Sequence, residues 1–174
     1  MAHFKATSFL VIIFFATAAW SAELPARKPG LWETETTLPS TKIPKQVIRQ
    51  CVDAATDQMM QSRAGVNSQR ECSKRDLQKS AGSITIDSTC TTAGKTRTSH
   101  VVITGSFDSS YTMIVTSQSE GAPESRTITM AAKWIGPCAA DQKPGDMIMA
   151  NGTKINIMDA QKFSAPAGVR PPSQ

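Results

Sequence analysis

Four cysteines, Cys51, Cys72, Cys90 and Cys138, are the residues of this 174-residue chain best suited to covalent chemistry. No two of them form a Cys-x-x-Cys redox pair, and the nearest two, Cys72 and Cys90, stand far apart in sequence. Structural zinc sites gather their ligands in close pairs, so a four-cysteine zinc site is disfavoured. An even cysteine count in an exported chain implies disulfides instead, with three pairings open to four cysteines. Local geometry selects one of them. Lys79 to Ser83 reads as a turn between two alternating segments. A turn centred on Ala81 sets Cys72 directly opposite Cys90, and opposed cysteines of a non-hydrogen-bonded pair lie close enough to bridge. This predicts Cys72–Cys90 and, by elimination, Cys51–Cys138.

The other reactive side chains are sparse. His100 is the only histidine after the N-terminal segment. It is the one candidate general base for a hydrolase-like enzyme, but no Ser or Cys nucleophile motif surrounds it, and a lone histidine on the polar face of a strand is ordinarily solvated. Glu33 and Glu35 share a strand face and could form an acidic dyad or bind a cation, but alternating exposed charges on an edge strand explain them better. Met59, Met60, Met113, Met130, Met147, Met149 and Met158 raise the question of Cu(I), which soft sulfur ligands select. Met113 and Met130, however, fit an apolar strand face where methionine fills core gaps. Met147 and Met149 would project the same way from one strand. Asn151-Gly152-Thr153 matches a glycosylation sequon, and Asn-Gly also supplies both positive-φ positions of a type I′ hairpin turn. The residues therefore assemble no catalytic site, no metal site and no cofactor site.

The elements that position these side chains are mostly strands. Gly30–Leu38 alternates Trp32, Thr34 and Thr36 against Leu31, Glu33 and Glu35, and Gln46–Val52 reads as a second strand. Asp53–Arg63 is the helix candidate, with Asp53 as N-cap and Gly65 as a stop. Arg70–Gln78 and Ser83–Thr92 form the cysteine hairpin. Thr98–Phe107, Ser110–Ser119 and Ser125–Ile135 follow at short spacing, and a last hairpin turns at Asn151-Gly152. Val101, Ile103 and Phe107 share one face, as do Tyr111, Met113 and Val115, and Ile128, Met130 and Trp134. The opposite faces carry His100, Thr104, Ser106, Thr112, Thr116, Thr127, Thr129 and Lys133. The expected fold is mainly β: an antiparallel meander of seven to nine strands, curled like a barrel or half-barrel, with one short helix and two disulfides.

The N-terminus sets the compartment. Lys5, the apolar run Phe9–Phe15 and the small residues up to Ala22 have the layout of a cleavable export signal over residues 1–22. The run is too short to span a bilayer, which takes about 20 residues. Residues 23–164 are then a single β-rich domain and 165–174, with three prolines, a disordered tail. Of the 19 Lys and Arg only Lys5 precedes Glu23, and all 14 Asp and Glu lie at or after it, so the exported part carries a net charge of +4. Scattered basic residues and few aromatics argue against nucleic acid.

Lys28-Pro-Gly-Leu-Trp-Glu33, Gln50-Cys51-Val52, Trp134-Ile-Gly-Pro-Cys138 and Lys143-Pro-Gly-Asp-Met147 together resemble a domain-of-unknown-function family of small exported proteins of Gram-negative bacteria. The resemblance implies a periplasmic, cysteine-tied β domain and brings no reaction and no catalytic residues. The expected function is a non-enzymatic binding or interaction module. Its partner would be a small apolar ligand or an envelope protein, with Val101, Ile103, Phe107, Tyr111, Met113, Val115, Ile128, Met130 and Trp134 as contacts. The rivals are a structural or envelope-stress protein acting by protein contact, and the enzyme using His100.

Overall fold

A computed structural model of the chain describes residues 23–39, 41–42, 44–63, 71–92 and 94–159. The expected export signal over 1–22, the expected tail over 165–174, Gly65 and Arg70 lie outside the described residues. The elements are β1 (Gly30–Thr37), β2 (Gln46–Val52), α1 (Ala54–Arg63), β3 (Glu71–Ser80), β4 (Ser83–Thr92), β5 (Lys95–Ser106), β6 (Ser110–Ser119), β7 (Arg126–Gly136), β8 (Asp146–Ile148) and β9 (Lys154–Asn156). A single helical turn follows at residues 157–159.

All nine strands form one antiparallel sheet in the order β3-β4-β5-β6-β7-β1-β2-β8-β9. The meander is continuous from β3 to β7. It then departs from chain order, because β7 pairs with β1. The sheet is open, with β3 and β9 at its two edges, and does not close into a barrel. Each edge is protected in its own way: β3 carries exposed Lys74, Arg75, Asp76 and Lys79, and β9 is only three residues long.

Both predicted disulfides are present, Cys72–Cys90 and Cys51–Cys138. The turn that led to the first is not where the sequence reading centred it. Ser80 pairs with Ser83 across Ala81-Gly82, and Gly82 takes a φ of 82°. That register, one residue off, continues as far as Lys74 opposite Thr89. A bulge between Cys72 and Lys74 then brings Cys72 opposite Cys90. The bulge absorbs the extra residue, so the cysteines meet despite the shifted turn.

The last hairpin also differs from expectation. Met149 donates to the Thr153 carbonyl at 2.9 Å, and Gly152 donates to Met149 at 2.9 Å. The loop therefore has three residues, Ala150-Asn151-Gly152, with Gly152 left-handed at 81°. Such a loop needs one positive-φ residue, where a type I′ turn needs two. The Asn151 side chain accepts the Thr153 N–H at 3.0 Å, an Asx arrangement.

Helix α1 starts as its sequence predicts. Asp53 Oδ1 accepts the Thr56 N–H at 2.8 Å, and the Thr56 hydroxyl accepts the Asp53 N–H at 3.0 Å. This is a reciprocal capping box with threonine in the place usually held by Glu or Gln. The backbone bond from Thr56, followed by its hydroxyl, holds the Asp53 carboxyl below its ordinary 3.8. No helix among the described residues is long and apolar enough to cross a membrane.

Candidate functional site

Strand pairing assigns every side chain to one of two faces. On the first, Ile86, Val101, Val115 and Ile128 form one cross-strand row, and Ile84, Ile103, Met113 and Met130 the next. Tyr111, Ala132 and Thr34 follow in the adjoining row, with Trp32 opposite Trp134 beyond them. This apolar face holds two buried clusters. Leu24, Ile86 and Ile103 form one, with Leu77, Ile84, Val101, Phe107, Tyr111 and Met113 packed around it. Trp32, Val52 and Ala132 form the other, with Met60, Tyr111 and Trp134 against them. Tyr111 joins the two, stacked on Phe107 at 4.7 Å and tilted against Trp32 at 5.8 Å.

The second cluster is fastened by polar groups that the sequence reading missed. Asp57, fully buried, accepts bonds from the Arg27 N–H (2.8 Å), Arg27 Nε (2.6 Å) and Gln61 Nε2 (2.9 Å). Arg27 also donates to Gln50 Oε1 at 3.1 Å and lies 5.8 Å from the centre of the Trp32 ring. Burial pushes the Tyr111 hydroxyl above its ordinary 10.0, against an opposing pull from the nearby Arg27 charge. Charges so deeply buried persist only when paired and hydrogen-bonded. The Arg27–Asp57 pair thus ties helix α1 to the segment that leads into β1, and through Gln50 to β2, beside the apolar contact of Met60. The one advance signal was Asp57, an acid on the same turn of the helix as Met60.

The family-like motifs meet at this end of the molecule. The Trp32 indole donates to the Lys28 carbonyl at 2.8 Å, and the Trp134 indole to the Pro29 carbonyl at 3.1 Å. Lys28 Nζ lies 3.7 Å over the Trp134 ring. Gly30, at φ 132°, lets β1 press against β7: a Cβ there would meet the Gly136 carbonyl at 2.5 Å. The second Lys-Pro-Gly triplet does a different job. Lys143 to Asp146 is a turn closed by the Asp146 N–H on the Lys143 carbonyl at 3.0 Å, with Gly145 left-handed at 91°. Burial acts to raise the Asp146 carboxyl, but bonds from Asn156 and the Lys143 N–H, with nearby lysine charge, leave it below its ordinary 3.8.

The nine apolar-face candidates therefore fall into three groups. Ile103 is core, only 2% exposed, and Val101, Phe107, Tyr111 and Met113 pack on the first cluster. Phe107 lies just past the end of β5 rather than on it, and Trp134 packs on the second cluster. Val115, Ile128 and Met130 belong to neither cluster and remain half-buried on β6 and β7.

The hydroxyl face carries charges of both signs. Asp87 and His100 sit opposite each other on β4 and β5, joined at 2.8 Å and both largely exposed. Thr116 is opposite His100 on β6 and contacts Thr127 at 3.4 Å. Among the described residues no hydroxyl is hydrogen-bonded to His100, and no described cysteine is free. Glu33 pairs with Arg49 and Glu35 with Lys45, both at 2.9 Å. These strands are interior to the sheet, so the two glutamates are cross-strand partners rather than edge-strand charges. A shallow depression of about 480 Å³ lies on this face, lined by Glu33, Glu35, Thr104, Thr112 and Lys133 among others. The described methionines divide between the apolar face, α1, the last hairpin and, for Met158, the helical turn after β9. Met149 falls outside β8, so it does not extend from the same strand as Met147. Among the described residues no group of three or more His, Cys, Asp or Glu is placed to hold a metal ion.

The family model described as "Protein of unknown function (DUF3617)" matches residues 27–138. No curated protein and no solved structure matches the chain. The matched span opens at Arg27, which anchors the helix, and closes at Cys138, which completes the buried disulfide. With more than half its length matched, the chain belongs to the DUF3617 family of proteins of unknown function.

Proposed function

We propose that this protein is a non-enzymatic periplasmic binding module that holds a small apolar ligand against the apolar face of its sheet. The observation that carries the reading is the half-buried strip of Val115, Ile128 and Met130, continuous with Met113 and Val101 yet outside both clusters. Side chains that neither complete the core nor turn to the polar face are available to a ligand. The strip is a surface, not an enclosed chamber, so the ligand lies along the sheet rather than inside a barrel mouth. An export-type N-terminus and two disulfides support the periplasm as the compartment. The reading is tested with delipidated protein and a hydrophobic fluorescent probe. It expects uptake at one saturable site that Val115→Thr/Ile128→Thr weakens. Non-saturable uptake, or uptake unchanged in the double variant, would overturn it.

A further inference from the structure

The apolar face changes character along its strands. On β6 the inward positions run Tyr111, Met113, Val115, Ser117 and Ser119, so apolar side chains give way to hydroxyls at one end. The neighbouring strands change at the same level. Ser99 and Arg97 continue Ile103 and Val101 on β5, and Arg126 continues Met130 and Ile128 on β7. Arg97 and Arg126 are exposed and flank β6 on a diagonal, Arg97 opposite Ser119 and Arg126 opposite Ser117, two strand spacings across and two residues along, or about 12 Å apart. Arg97 is aimed by a 3.1 Å bond from its Nε to the Ser119 hydroxyl.

Charge sign is sorted between the faces. Among the described strand residues of β3–β7 no carboxylate shares the apolar face: Asp76 and Asp87 both register on the opposite one, and Glu120, bonded to the Thr96 N–H at 3.1 Å, and Glu124 stand in the connection between β6 and β7. An apolar strip that ends between cations of one sign is complementary to an amphiphile with a negative head. From Met113 to Ser117 the strip spans about 14 Å at 3.4 Å per residue, room for a medium-length extended acyl chain.

Resting on the binding reading above, we infer that the ligand is a single-chain anionic amphiphile. Its phosphate or carboxylate head sits between Arg97 and Arg126, and its chain lies over Val115, Ile128 and Met130. The occupant is one detached molecule, not the surface of a bilayer.

The test titrates the disulfide-bonded protein with dodecyl phosphate, dodecyl maltoside and dodecyltrimethylammonium, each below its micelle concentration. The inference expects dodecyl phosphate to bind at least tenfold more tightly than the other two, at one molecule per chain. In Arg97→Gln/Arg126→Gln that preference disappears while dodecyl maltoside binding is unchanged. These arginines are exposed, so the variant keeps its fold, and an unchanged circular dichroism melt confirms it. Equal binding of all three probes would overturn the head-group assignment and leave the apolar-ligand reading standing. No binding of any probe would overturn both. Binding of dodecyl phosphate only when it is presented in vesicles would replace the detached ligand with a membrane surface and overturn the inference.

Discussion

The Trp32 end of the apolar face and the Val115–Met130 strip belong to the same sheet, yet they are built on opposite terms. At the first, Trp32 is fully buried, its indole is bonded, Arg27 and Asp57 are paired beneath α1, and Cys51–Cys138 ties β2 to the end of β7. At the second, Val115, Ile128 and Met130 stand half-covered, and among the described residues no buried ion pair lies over them. Apolar residues at one end serve stability, and in the function proposed above those at the other meet a ligand. The contrast predicts that substitutions at the two places separate: one set damages the fold, the other damages only recognition.

The largest effects belong to the anchored end. Trp32→Ala should cost about 3–5 kcal/mol, the range for emptying a buried aromatic site. Asp57→Ala leaves the buried Arg27 guanidinium uncompensated and should cost about 3–5 kcal/mol, whereas replacing both partners with apolar residues should cost much less. Urea unfolding of the two single variants and the double variant measures this. Additive losses would show that the ion pair is not the anchor. The disulfides come next. Cys51–Cys138 closes 87 residues and Cys72–Cys90 only 18, so the chain-entropy model gives about 4–5 against about 3 kcal/mol. Alanine pairs at each bridge should follow that order, and the reverse order would mean that the edge hairpin is the main staple.

How far this contrast was legible in the sequence depended on the kind of signal. Alternation placed β2, β4 and β6 with their observed ends, and inward parity put Val101, Met113 and Ile128 on one face, because a strand's period of two is a local property. The cysteine pairing emerged from a turn centre that was off by one residue, corrected by a bulge that no local pattern announces. The pairing of β7 with β1 also escaped notice, since it joins segments about a hundred residues apart. The Arg27–Asp57 anchor was invisible for the same reason: neither residue lies near the other in sequence, and an acid on a helix ordinarily faces water. Arg97 and Arg126 could have been found by extending the parity of Val101 and Ile128 outward.

Smaller effects lie at the helix cap and the last turn. Asp53→Ala should cost about 1 kcal/mol through loss of the Thr56 bond. Asp53 and Asp146 both have carboxyls held below 3.8, so the stability they add is fully present above that value and is lost as pH falls through their lower folded values. Denaturant midpoints should therefore hold steady from pH 7 to about pH 5 and drop below about pH 4. Asp146→Asn should show a shallower drop. An acid loss of the same depth in that variant would place the titrating group elsewhere.

The smallest expected change in stability lies at the strip. Val115→Thr/Ile128→Thr keeps β-branched residues at half-exposed positions, and its thermal midpoint should stay close to that of the unsubstituted protein. Its binding should not. Losing apolar contacts worth about 0.8 kcal/mol per methylene predicts at least a tenfold weaker affinity for a hydrophobic probe. Fluorescence titration of this double variant beside its thermal melt is the most direct test of the division between anchor and binding strip. The account predicts an unchanged melt with binding weakened tenfold or more. A lowered melt with unchanged binding would show that Val115 and Ile128 are core residues and contradict it.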